Sequence, residues 1–217
     1  WRQPLSVIAS ASTGVLFKKE LGTLNDEYVT TEMETINSQA QYISRTIDDF
    51  RDFIKGDREQ IEFLVKDNIG SFLTLALPVS KDNQIEVISS IDDTLYFEGY
   101  PNELIQCYMN IFNNAKDALV QNNIPERFVF IDVQKSDDCI VIKIKDNGGG
   151  IPKEIIEKIF VPYFTTKHQS QGTGLGLSMT YKIISEGMNG KIEVHNKEYS
   201  YNNNTYKGAE FTITLPM

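Results

Sequence analysis

The sequence predicts an α+β chain in two parts: a helical hairpin, then a region where short strands alternate with helices. Two observations predict the hairpin. Residues 28–55 place Val29, Met33, Ile36, Ala40, Ile43, Ile47, Phe50 and Ile54 in alternating steps of four and three, the heptad spacing that lines one seam of a helix. Residues 1–19 read as another helix, set off by the turn-forming stretch Gly22-Thr23-Leu24-Asn25-Asp26. A third observation predicts the remainder. Ile140, Ile142 and Ile144 alternate with Val141, Lys143 and Lys145, the two-residue period of a strand.

A hairpin with this seam buries it only partly on its own first helix, so a homodimer forming a four-helix bundle is expected. The alternative is a hairpin packed on the rest of its own chain. Lys55-Gly56-Asp57-Arg58-Glu59 reads as a polar linker, which sets the domains at 1–55, a linker at 56–60, and 61–217. In the second domain strands fit 60–64, 84–90 and 94–98, and helices fit 65–76 and 102–121. Strands then fit 127–135 and 138–146, a helix starts at 175, and the last strands lie near 191–196 and 209–215. The polar stretch 199–207 reads as a loop between those two strands.

Composition narrows the function. The 217 residues hold 21 basic and 30 acidic side chains, a net charge of −9, and no basic tract, which argues against nucleic acid as a partner. No apolar run approaches a membrane span and no signal peptide is visible, so no direct membrane contact is expected. Cys107 and Cys139 sit in apolar contexts without metal-motif spacing, as buried thiols of a reducing cytoplasm would. His168 and His195 lie far from any Cys partner and are read as structural.

Two glycine-rich turns carry the chemistry. Asp146-Asn147-Gly148-Gly149-Gly150-Ile151 follows an apolar strand; Gly148 and Gly150 let the main chain pass close to a flat ring, and Asp146 accepts a hydrogen bond from an exocyclic amine. Gly172-Thr173-Gly174-Leu175-Gly176-Leu177 runs into a helix, where uncovered N–H groups attract phosphate. Either turn alone is equally well a glycine-rich surface loop. Upstream, Asn110 and Asn114 stand one helical turn apart on the face that also carries Asp117, while Ile111, Ala115 and Ala118 turn to the core. Paired amide oxygens suit Mg²⁺, which completes its shell with phosphate and water.

In this order the segments resemble those of the sensor histidine kinases of two-component signalling, within the ATPases that share the Bergerat nucleotide fold. Residues 110–118 are similar to the family's N box, 146–151 to its G1 box, 160–164 to its F box and 172–177 to its G2 box; Gly208-Ala209-Glu210-Phe211 with Leu215-Pro216 resembles its closing strand. The resemblance implies a two-layer α/β sandwich with a mixed sheet, ATP or ADP with Mg²⁺ as cofactors, and a response-regulator receiver domain as partner. It also implies an upstream sensor domain and a cytoplasmic location for this portion. Asn114 is implied to hold Mg²⁺ with help from Asn110, and Asp146 to read the adenine amine beside Gly148, Gly150, Ile151 and Thr212. Gly172, Thr173, Gly174, Leu175, Gly176 and Leu177 are implied to line the phosphates. Residues 160–171 form the implied lid, with Thr166 and Lys167 as nucleotide contacts; Lys167 on phosphate and Lys167 as a solvated loop charge are equally good readings. Asp117 occupies a position that often touches nucleotide; a plain helix-face charge explains it equally well.

Trp1-Arg2-Gln3-Pro4-Leu5 is similar to the last five positions of the family's acceptor motif, which puts the phosphate-accepting histidine two places before Trp1. The alternative is an ordinary helix start with proline in its first turn. Gln3 stands where many members have Thr or Asn, which weighs against dephosphorylation of the regulator, although a Gln amide can also hold water. Hydrolytic Bergerat ATPases carry a glutamate one turn before the metal asparagine; Asn110 is no general base, whereas a neutral imidazole needs none to attack phosphorus. The expected function is an ATP-dependent protein-histidine kinase core in which Asn110, Asn114 and Lys167 serve catalysis. The alternatives are a dimeric nucleotide-binding scaffold without phosphotransfer and a hydrolysing ATPase, which Asn110 disfavours.

Overall fold

A computed structural model describes residues 2–54, 60–167 and 172–217. The chain divides into two compact units, Trp1–Lys55 with Tyr163–Leu175, and Gly56–Pro162 with Gly176–Met217.

In the first unit, α1 (Arg2–Glu20) and α2 (Asp26–Ile54) form the hairpin. Gly22 takes the left-handed conformation at φ +65°. Around it, the Gly22 N–H bonds the Lys19 carbonyl and the Thr23 N–H bonds the Lys18 carbonyl, the pairing that closes a helix on glycine. Asn25 then caps α2, its Oδ1 accepting from the Tyr28 N–H at 2.8 Å. Lys18 Nζ lies 3.5 Å from the centre of the Tyr28 ring and pins the two helix ends together. The heptad seam is only partly covered within this hairpin: Gln39 is buried, while Met33 stands 47% exposed and Ala40 is exposed. The side chains of Ile47, Phe50 and Ile54 lie outside the described residues.

The second unit begins with β1 (Ile61–Leu64), α3 (Val65–Asp82), β2 (Ile85–Ile91) and β3 (Tyr96–Gly99). There follow α4 (Pro101–Gln121), β4 (Arg127–Ser136), β5 (Cys139–Asp146) and α5 (Gly176–Lys182). One π-turn, Ile183–Gly187, extends α5, and β6 (Lys191–Tyr201) and β7 (Asn204–Pro216) close the chain. β1 and β3 pair as a small antiparallel sheet, and the main sheet runs β2-β4-β5-β7-β6, parallel only between β2 and β4. Strand alternation sends Ile131, Ile142, Ile144, Phe211 and Ile213 into one core with Phe72, Leu104, Tyr108 and Phe112 from the helices. Asp132, Lys143 and Thr212 face the other way and stay at least partly exposed. This is the two-layer α+β sandwich with a mixed sheet.

Two expected boundaries are corrected. α3 does not end at Ala76 but continues past Pro78 to Asp82, its added turn anchored by buried Ser80, whose hydroxyl donates to the Ala76 carbonyl at 2.9 Å. Residues 199–207 are not a loop: β6 and β7 stay paired to Tyr201 and Asn204, leaving a two-residue turn, Asn202-Asn203, at φ +48° and +64°. Both central residues left-handed is the hairpin turn whose twist matches the strands. Apolar packing explains the extension, because the Tyr201 ring lies 5.2 Å from Phe128 and 5.0 Å from Phe130. Cys107 is fully buried and its thiol is pushed well up by desolvation; Cys139 is only half-buried. No helix among the described residues is long and apolar enough to cross a membrane.

The packing of α3 on α4 rests on Phe72, fully buried with its ring 5.6 Å from Tyr108 and 6.0 Å from Phe112. Phe72→Ala is expected to cost about 3–5 kcal/mol, read as a lowered urea midpoint with unchanged slope. A loss under about 1 kcal/mol would remove α3 from the core.

Candidate nucleotide site

β5 ends on Asp146, a carboxylate 4% exposed. Its Oδ1 accepts from the Gly148 N–H at 2.7 Å and from the Ala209 N–H of β7 at 3.3 Å. Burial outweighs these two bonds and pushes the carboxyl up to about 6. Gly148 follows beneath α4, where a Cβ would stand 3.0 Å from that of Ala118. The freedom of φ is used at Gly150, as expected, and at Gly149 instead of Gly148: these two hold φ of +87° and +92°, while Gly148 serves by lacking bulk. At the C-terminal end of α4, Asn122 Nδ2 donates to the Gly148 carbonyl at 2.6 Å. Ile151 is half-buried and packs against the core.

The asparagines of α4 stand over the start of α5. Asn110 Nδ2 donates to the Gly176 carbonyl at 3.1 Å and to Thr180 Oγ1 at 3.2 Å, and a Cβ on Gly176 would come within 3.3 Å of Asn110 Oδ1. Asn114 Nδ2 donates to the Asn110 carbonyl at 2.9 Å, which turns its Oδ1 away from that carbonyl. Both amides bond the protein through their nitrogens, and the oxygens are the atoms of each that suit a hard cation. Neutral hard oxygens of this kind fit Mg²⁺ shared with a polyphosphate. Asp117 forms an ion pair with Lys116 at 2.9 Å. Leu177 packs against the core.

Thr212 does not reach this site. It pairs with Lys143 and Glu193 and lies on the sheet face opposite the inward-facing Phe211 and Ile213. The β7 residue beside Asp146 is Ala209, three positions earlier.

The segment Tyr163–Leu175 has its own geometry. The Tyr163 N–H bonds the Gly174 carbonyl at 2.9 Å, Tyr163 is left-handed at φ +64°, and Gly174 matches it at φ +67°. Any side chain on Gly174 would press on the Tyr163 backbone at 2.5 Å. Inside this neck Thr165 Oγ1 accepts from the Lys167 N–H at 3.1 Å, and Thr173 Oγ1 from the Leu175 N–H at 3.2 Å. Gly172 lies against Thr165 and Lys167, and Thr166 is exposed. His168 falls outside the described residues. His195 is exposed on β6.

Residue-by-residue reading missed the supports of the glycine turn. Asn147 accepts from the Phe128 N–H at 2.8 Å and donates to the Glu126 carbonyl at 2.6 Å, and Asn196 and Tyr199 reach the turn from β6. Only the two-residue spacing of Tyr199 and Tyr201, echoed by Phe128 and Phe130, offered a signal.

A buried carboxylate at a strand end and a glycine turn under an asparagine-bearing helix thus stand together on a two-layer sandwich. Residues 99–217 match the family described as histidine kinase-, DNA gyrase B- and HSP90-like ATPase, and the chain belongs to it, as a member of the sensor histidine kinase type. The two-component sensor PprA of Pseudomonas aeruginosa is 27% identical over 100% of this chain and 23% of its own length. The sensor histidine kinase ZraS of Escherichia coli O157:H7 is 28% identical over 85% of this chain and 38% of its own. The chain thus spans well under half the length of these curated relatives. Among solved structures, the catalytic domain of histidine kinase ThkA is 28% identical with a TM-score of 0.60, covering 73% of this chain and 95% of that domain. ThkA in complex with response regulator protein TrrA shares the fold over 99% of this chain and 58% of that one, at 24% identity and a TM-score of 0.68.

Proposed function

We propose that this chain is the ATP-binding and dimerisation core of a protein-histidine kinase, passing the γ-phosphoryl group of ATP to an imidazole for relay to a response-regulator aspartate. The observation that carries this reading is Asn110. Where a hydrolytic relative has a glutamate, this chain has an amide whose nitrogen is held by the Gly176 carbonyl and Thr180. No group there takes a proton from water, and none is needed when the nucleophile is a neutral imidazole near pH 7.

Asp146 accepts the exocyclic amine of adenine, and Ile151 flanks the ring. Asn114 and Asn110 hold Mg²⁺ through their amide oxygens; when bound, the ion neutralises charge on the transferring phosphoryl group. Gly172, Thr173, Gly174, Leu175, Gly176 and Leu177 line the phosphates through backbone N–H groups, and Thr166 and Lys167 approach them from the lid. Positioning and charge neutralisation account for the rate. Exposed Met33, Leu16 and Phe17 on the hairpin support a homodimer, and the ThkA–TrrA complex supports a receiver domain as partner.

The test is the full-length protein incubated with γ-labelled ATP and Mg²⁺. Label that survives base and is lost in acid is expected, and Asn114→Ala should reduce it about a hundredfold or more. Mg²⁺-dependent ATP binding without such label would favour a signalling scaffold. Steady release of phosphate into water would favour a hydrolytic ATPase.

A further inference from the structure

The glycine turn, bonded to Asn122 at the end of α4, is held a second time by the β6–β7 hairpin. Asn196 makes a two-pronged bond to one residue of the turn: its Oδ1 accepts from the Ile151 N–H at 2.7 Å and its Nδ2 donates to the Ile151 carbonyl at 2.7 Å. Its amide fills the space where a side chain on Gly150 would sit, 2.5 Å from such a Cβ. Three residues on, the Tyr199 hydroxyl donates to the Asp146 carbonyl at 3.0 Å. The backbone adds the Gly149 N–H to the Lys207 carbonyl at 2.9 Å.

Tyr199 is itself fixed. Its ring lies 5.3 Å from Phe130, edge to face, and Lys145 Nζ sits 3.9 Å from its centre. The hydroxyl therefore meets the Asp146 carbonyl without choosing among rotamers, and the Asn196 amide, with both its atoms engaged, has one orientation. Groups locked in this way restrict the loop they grip before any ligand arrives, which lowers the ordering cost of binding. The two loop residues they grip are the pair proposed to read the base: Asp146 by its carboxylate, Ile151 by its flank.

We infer that Asn196 and Tyr199 are positioning residues for purine recognition, setting through Ile151 and Asp146 the preference for a 6-amino over a 6-oxo base. Neither touches the phosphates in this scheme, so their influence is confined to the base. The inference rests on the nucleotide-binding reading and deepens it.

The test compares Mg²⁺ complexes of ADP and of inosine diphosphate, which carries a 6-oxo group in place of the amine, by calorimetric titration of the whole chain. The parent is expected to prefer ADP at least tenfold. Asn196→Ala should lower ADP affinity at least fivefold and the inosine diphosphate affinity by a clearly smaller factor, so that the preference falls. Tyr199→Phe, which keeps the ring and its packing, should move the ratio the same way by a smaller factor. Circular dichroism melts confirm that each variant is folded, and Tyr199→Phe carries the test if Asn196→Ala is not. Equal losses for both nucleotides would mean general loosening and overturn the inference, as would an unchanged ratio in both variants. A parent that binds neither nucleotide would overturn the nucleotide reading itself, an outcome separate from failure of the variants.

Discussion

Asp146→Asn is expected to make the ligand-free protein more stable and to weaken nucleotide binding severely. The carboxyl is pushed up to about 6 by burial, against an ordinary value of 3.8. A folded-state value above the unfolded one favours the fold while the group is neutral. Its stabilising effect is complete below about 4 and is lost as pH rises through about 6. At pH 8 the folded protein holds a buried charge that costs on the order of 2–3 kcal/mol. An asparagine keeps the Oδ1 acceptor for Gly148 and Ala209 and removes the charge, so its melting temperature should exceed the parent's at pH 8 and converge with it near pH 4. Its Nδ2 then faces the incoming amine, donor against donor, and ADP affinity should fall about a hundredfold or more, since a charge-assisted bond is lost and a repulsion added. The parent's own ADP affinity should decline as pH drops below about 6. An Asp146→Asn variant that bound ADP as the parent does would take Asp146 out of the site.

Gly208→Ala should be the most damaging single change on β7. A Cβ there would overlap the Asp146 carbonyl and come within 2.8 Å of Asp146 Oδ1. The obstacle is mostly backbone at the end of a central strand, so β7 must part from β5 where Ala209 bonds Asp146. A loss of about 3 kcal/mol or more is expected, with at least tenfold weaker ADP binding. Gly149→Ala is the contrast: its φ is +92° but the nearest atom is Asn122 Nδ2 at 3.8 Å, so only backbone strain of about 1–2 kcal/mol applies. Urea unfolding of the pair separates the effects. If Gly149→Ala proved the worse, strain and not space would govern the turn.

The sandwich, the long helix α2 and the glycine turn were legible because each leaves a periodic or clustered mark: the isoleucines of β5, the heptads of α2, glycines beside an aspartate. Thr212 was misplaced by three residues because facing depends on strand register, and only pairing with β5 shows that position 212 points away from Asp146. The β6–β7 extension was taken for a loop because Tyr-Asn-Asn-Asn-Thr-Tyr is polar, though the tyrosines pair with phenylalanines on a strand about 70 residues earlier, beyond the reach of local pattern. Asn122, Asn147 and Asn196 left no trace, since a single asparagine looks the same whether it faces solvent or braces a turn.

β6 lies at the end of the sheet order, and among the described residues no strand pairs with its outer side. Such an edge is a template on which a second molecule can add a strand and begin a fibre. Here the edge carries Lys191, Glu193, Lys197 and Glu198, with Lys191 and Glu193 paired at 2.9 Å. Strand addition would strip water from these charges along its length. The long hairpin that braces the turn is thereby kept from becoming a route to aggregation in a crowded cell.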